Sequence, residues 1–128
     1  MRLPLVLLCF GLAACDVAGP GFLNAPVVRV TEDGSKFTLR RRGAYVEAIR
    51  TSPEFLPRFH DVARRGGLAT QRETGCRADW IMGDPALMYI GLDCGAEPAP
   101  PMPRKRHMFF CDVIGAGRGD LDLECRKG

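Results

Sequence analysis

Histidine and serine are scarce in this chain: His60 and His107 are its two imidazoles, and Ser35 and Ser52 its two serines, in 128 residues. A hydrolytic triad therefore has little to draw on, and neither serine stands in the Gly-x-Ser-x-Gly context that exposes a nucleophile. Ser35 belongs to a turn, Glu32-Asp33-Gly34-Ser35, and Ser52 precedes Pro53-Glu54 as a helix cap would. Cys-x-x-Cys is missing, which argues against thioredoxin-like redox chemistry and against the paired spacing of zinc sites. The glycine run Gly115-Ala116-Gly117-Arg118-Gly119 leads into acids and a strand pattern, so no helix end is there to cradle a phosphate. A net charge of +3 is too small to imply nucleic acid. No apolar run approaches the roughly 20 residues that a membrane-spanning helix needs, and no internal repeat is visible. No cofactor or metal is expected.

What is present begins with the first fifteen residues. One positive charge, an apolar run from Leu3 to Phe10 and small residues before a cysteine follow the order of a signal peptide. Pro4 and Gly11 interrupt the run and Asp16 stops it. Leu12-Ala13-Ala14-Cys15 resembles the lipobox of bacterial lipoproteins, where the cysteine thiol is diacylglycerylated and the leader is cut away before it. The resemblance implies lipidation of Cys15, a membrane partner reached through the anchor, and a cell-envelope location facing the periplasm. Asp16 resembles a signal that retains some enterobacterial lipoproteins in the inner membrane, so inner and outer membrane both stay open. Ordinary secretion after Ala14, with Cys15 a free thiol, is the rival, and Leu12 suits its small-x-small rule poorly.

Loss of the leader leaves four cysteines for an oxidising compartment, Cys76, Cys94, Cys111 and Cys125, and hence two disulfides. Cys111 and Cys125 are symmetric about residue 118 within a hairpin pattern, and Cys76 and Cys94 flank another. Of the three connectivities, 76–94 with 111–125 is favoured.

Residues 16–26 are small, polar and Pro/Gly-bearing, which suits an unfolded tether. Strand patterns follow at Val27–Thr31, Phe37–Arg40 and Ala44–Arg50, the last able to bury either Val46 and Ala48 or Tyr45 and Ile49. Ser52-Pro53-Glu54 reads as a helix start, Phe55, Leu56, Phe59, Val62 and Ala63 form an apolar stripe, and Gly66-Gly67 reads as its end. Pro57 complicates the first turn, and a short second helical piece is expected over Leu68–Thr74 before Gly75. Two further hairpins, 77–92 and 107–125, flank a proline-rich connector at 96–103. The expectation is an α+β domain over 27–128, an antiparallel sheet built from hairpins with one amphipathic helix packed on it, preceded by a signal peptide (1–14) and a lipidated tether (15–26). Short motifs from Phe37-Thr38-Leu39 and Ala48-Ile49-Arg50-Thr51 to Thr74-Gly75-Cys76 and Leu92-Asp93-Cys94-Gly95 resemble small Gram-negative envelope lipoproteins without an assigned activity. That resemblance adds no catalytic or binding residue.

Surface candidates remain. Arg40-Arg41-Arg42 and Arg104-Lys105-Arg106 are two basic runs, and close to an anionic membrane each such charge is worth about 1 kcal/mol. Trp80 and Tyr89 offer faces for a sugar or peptide, although cross-strand packing explains such pairs as well. Arg118-Gly119-Asp120 spells an adhesion tripeptide, but a hairpin tip favours Gly and Asp anyway. The leading expectation is a non-enzymatic envelope module that docks protein, peptidoglycan or lipid headgroups. The alternative is a small hydrolase or enzyme accessory using His60 or His107.

Overall fold

The computed structural model describes residues 16–117 and 119–128. The Leu12–Cys15 motif and Arg118 lie outside the described residues. Seven strands, β1 (Val27–Glu32), β2 (Ser35–Arg42), β3 (Tyr45–Arg50), β4 (Arg77–Gly83), β5 (Leu87–Asp93), β6 (Phe109–Gly117) and β7 (Asp120–Lys127), form one antiparallel sheet in the order β1-β2-β3-β5-β4-β6-β7. Among the described residues a single helix, α1 (Phe59–Thr74), joins β3 to β4 and packs on one face. The fold is α+β as expected. Both hairpin disulfides form, Cys76–Cys94 and Cys111–Cys125, the second joining residues directly opposite in the β6–β7 register.

Strand alternation sorts the side chains onto two faces. Phe37, Leu39, Val46, Ala48, Ile81, Met88, Ile90 and Leu92 meet Phe59, Val62, Ala63 and Ala69 of the helix in the main core. Val46 and Ala48 thus win the choice left open for β3, yet Glu47 and Ile49 are buried too, because the opposite face is also covered.

The helix differs from expectation at both ends. Pro53 and Pro57 each lack an N–H and disfavour helical backbone in the residue before, so residues 52–58 stay irregular and α1 starts at Phe59. Ser52 caps nothing: its Oγ accepts from the Lys36 N–H at 3.0 Å. Phe55 and Leu56, expected on the apolar stripe, stand out in solvent at 90% and 78% exposure. Gly66-Gly67 does not end the helix, which continues to a Gly75 cap in left-handed conformation (φ 70°), its N–H donating to the Gln71 carbonyl. The two glycines are buried where helix and sheet touch. A Cβ on Gly66 would meet Met88 Cε at 2.5 Å, and one on Gly67 would meet Leu121 Cδ2 at 2.5 Å and Ile81 Cδ1 at 2.8 Å. Their role is close approach, which outweighs their poor helix propensity.

Residues 16–26, expected as a free tether, form no helix or strand, and residues 16–22 lie on the sheet face away from the helix. Thr38 Oγ1 donates to Asp16 Oδ2 at 2.9 Å, and the Arg40 guanidinium reaches Asp16 Oδ1 at 3.3 Å and the Asp16 carbonyl at 3.0 Å. The Gly19 N–H donates to Glu47 Oε2 at 2.9 Å, Arg42 donates to the Gly21 carbonyl, and Phe22 is buried. Composition alone reads as linker; four partners waiting on β2 and β3, Thr38, Arg40, Arg42 and Glu47, make it part of the fold.

Candidate functional site

The sheet face opposite the helix carries the most distinctive chemistry of the described residues. Between Ala78 and Trp80 the β4–β5 register shifts by a bulge at Asp79. Without it Trp80 would share the helix side with Ala78; with it, Trp80 lies opposite Gly91 on the open face. Gly91 has no Cβ, and the indole lies where one would be. The Trp80 Nε1–H donates to the Pro100 carbonyl at 2.6 Å, which fastens the proline-rich connector across the sheet. Trp80, Met82 and Phe110 thus make a second, smaller core with Met102 of that connector and with Met108, just before β6.

The N-terminal segment covers one half of this face and the connector the other, and a cleft of about 500 Å³ opens between them. Its walls are two aromatic pairs. Phe22 meets Tyr89 with centroids 5.9 Å apart, and Tyr45 meets Trp80 edge-on at 6.1 Å. Arg42 and Lys105 supply the charge, Lys105 Nζ lying 5.7 Å from the Tyr89 ring centre. Burial pushes the Tyr89 hydroxyl above its ordinary range, and Glu47 and Asp84 push it the same way, so it stays a neutral donor and acceptor. A second cleft, about 620 Å³, shares Lys105 and is bounded by Arg104, Arg106 and Arg126 over Phe110 and Met102. Arg126 is paired to Asp112, whose hydrogen bond and charge raise its pKa further. Among the described residues no Asp or Glu lines either cleft. The arrangement suits an anion with an apolar or planar portion.

The two basic runs fare differently. Alternation divides Arg40-Arg41-Arg42. Arg40 is buried, 3.5 Å from Glu47 and paired to Asp16, so it is withdrawn from any surface role. Arg41 turns to the helix side, donating to the Gly43 carbonyl and to both sulfurs of Cys76–Cys94, beside a cleft of about 700 Å³ walled by Val28, Leu39, Val46 and Leu92. Arg42 alone reaches the open-face cleft. Arg104, Lys105 and Arg106, in contrast, all remain exposed around one opening. The sequence reading missed Glu47. The signal was there: an acid inside an otherwise apolar strand, paired across the β2–β3 register with Arg40. Its Oε1 has no hydrogen-bond partner, although the Arg40 charge is close.

The histidines are not brought together in one cleft. His60 is half exposed beside Asp61 (Nδ1 to Oδ1 3.4 Å), at a shallow depression of about 380 Å³ with Arg58, Phe109 and Lys127. His107 is exposed in a turn with φ 64°. Asp120 of the tripeptide accepts from Arg64 at 3.0 Å and from its neighbour's Leu121 N–H, bonds that hold its carboxyl below the usual range. All four described cysteines are in disulfides, and no group of three His, Cys, Asp or Glu among the described residues is placed to hold a metal. No described helix is long and apolar enough to cross a membrane. Compared with known proteins, the chain matches no protein family, no curated protein and no solved structure.

Proposed function

We propose that this chain is a lipoprotein held to an envelope membrane through Cys15, and that its folded domain is a non-enzymatic binding module for an anionic envelope component. The observation that carries the binding role is the pair of clefts sharing Lys105, rich in aromatic and cationic groups and lined by no Asp or Glu among the described residues. The leader order and Leu12-Ala13-Ala14-Cys15 support the anchor. Two or three acyl chains give stable attachment where one alone would not. The periplasm suits the two disulfides.

The intact mass of the mature protein tests the anchor. Lipid on an N-terminal peptide starting at Cys15 is expected, and Cys15→Ser is expected to abolish lipid labelling while leaving the fold of residues 27–126 unchanged. A free, unmodified Cys15 in the mature protein would overturn the reading. Pull-down from crosslinked envelopes tests the module: recovery of an envelope component that depends on Arg42 and Lys105 is expected, and recovery indistinguishable from an unrelated lipid-anchored control counts against it.

A further inference from the structure

An ion pair buried under an irregular stretch of chain, residues 16–22, is more than a spacer needs. Glu47 is fully buried and Arg40 nearly so, and Glu47 Oε2 and the Arg40 guanidinium hold Gly19 and Asp16. Taking two charges out of water is costly and gains little stability by itself. What the arrangement does achieve is position. Asp16 is fastened to Thr38 and Arg40 on the open face, and adjacent Cα atoms lie only about 3.8 Å apart across a trans peptide.

Resting on the lipoprotein reading above, we propose that the clamp mounts the domain with its open face flush on the membrane that bears the anchor, and that the aromatic cleft takes an anionic phospholipid headgroup of that same leaflet. Exposed apolar side chains include Val17 (69% exposed) and Leu23 (65%) of the N-terminal segment and Tyr45 (37%) at the cleft, while Phe55 (90%) and Leu56 (78%) are exposed elsewhere. Such groups insert at the boundary between headgroups and acyl chains, where an aromatic ring with a polar tip is favoured. Arg29, whose side chain is 76% exposed, lies 3.7 Å from Asp16, and Arg42 and Lys105 border the cleft. These cations complement an anionic surface. Helix α1 carries a mixed set on the other side, with Asp61 and Glu73 among its arginines. Asp16, the residue next to the proposed anchor, therefore shares one face with the cleft that no described Asp or Glu lines.

The three lysines make the orientation measurable. Lys105 borders the cleft, whereas Lys127 lies over the Phe109 ring on the helix side. The full mature protein, its N-terminal mass determined first, is reconstituted into vesicles of phosphatidylethanolamine with or without phosphatidylglycerol, and lysine acetylation is followed by mass spectrometry. On the anionic vesicles Lys105 is expected to react several-fold more slowly than in detergent, with Lys127 unchanged. Arg42→Gln is expected to weaken flotation of the unlipidated Cys15→Ser chain with the same vesicles about fivefold, the effect of one charge near an anionic surface. A lipidated chain in which Lys105 and Lys127 keep equal reactivity on both vesicle types overturns the inference and leaves the anchor standing. Equal protection of Lys105 by free glycerol phosphate, without vesicles, assigns the cleft to a soluble anion and also overturns it. Absence of lipid on Cys15 sinks the anchor and the mounting together.

Discussion

The two faces of this sheet are both covered, but by different means. The helix face is closed by sixteen residues of continuous helix pressed against Met88, Ile81 and Leu121 through two glycines. The other is closed by two irregular segments pinned at a few polar points: Asp16 and Gly19 on one side, the Pro100 carbonyl on the other. Apolar contact is distributed and cooperative, so a defect there is felt by the whole domain. A polar latch is local, and what it holds can open without unfolding the rest. The face that can open is also the one with the clefts.

Substitutions at matched depth sharpen the contrast. Ile81→Ala removes a fully buried side chain from the helix face and should lower global stability by about 2–5 kcal/mol, read as a shift in denaturant midpoint without change of slope. Cys111→Ser comes next. Its bond closes a loop with sequence separation 14, worth roughly 3 kcal/mol in the chain-entropy account, and the loss should appear in the same global transition. Phe22→Ala behaves differently. Burying such a side chain is worth about 1.5–3 kcal/mol, but the penalty cannot exceed what holds residues 16–22 to the sheet. It should show as faster hydrogen exchange at the Gly19 amide, with little movement of the global midpoint. A midpoint shift as large as that of Ile81→Ala would erase the distinction between the faces.

The smallest expected effect is a pH dependence. The Tyr89 hydroxyl titrates above its ordinary value in the fold, so as pH rises past about 10 the unfolded chain gives up this proton first. Its contribution is complete below that value and is lost as pH climbs through the folded pKa. Tyr89→Phe should flatten this alkaline limb in a stability-versus-pH series and leave neutral stability nearly unchanged.

Much of the fold was legible because hairpins are local. Alternation and turn residues mark seven strands, and symmetry about residue 118 pairs Cys111 with Cys125. Strand order was not legible: period-2 patterning says which face a residue occupies but not which neighbour a strand finds, and β3 pairs with β5, skipping β4. The end of the helix was misplaced because glycine signals both helix termination and close packing, and its start because Pro53 and Pro57 hold residues 52–58 out of helix. The site was half visible. Trp80 and Tyr89 stand out as aromatics, and Arg104, Lys105 and Arg106 as a basic run. The bulge that turns Trp80 to the open face leaves no mark in residue type, and the fate of the arginine triplet followed from alternation, which a view of three like charges as one patch overlooks.

The β3–β5 junction has a consequence for how the chain is made. β1, β2 and β3 form a meander complete by Arg50, whereas both disulfides and the other four strands lie beyond Gly75. Until Leu87–Asp93 has followed, the meander carries an unpaired edge bearing Val46, Ala48 and Ile49, side chains destined for burial. An unpaired strand edge invites pairing with other chains. The half delivered first must therefore wait for the half delivered last, and the interval before β5 arrives is when a nascent chain has most need of a chaperone.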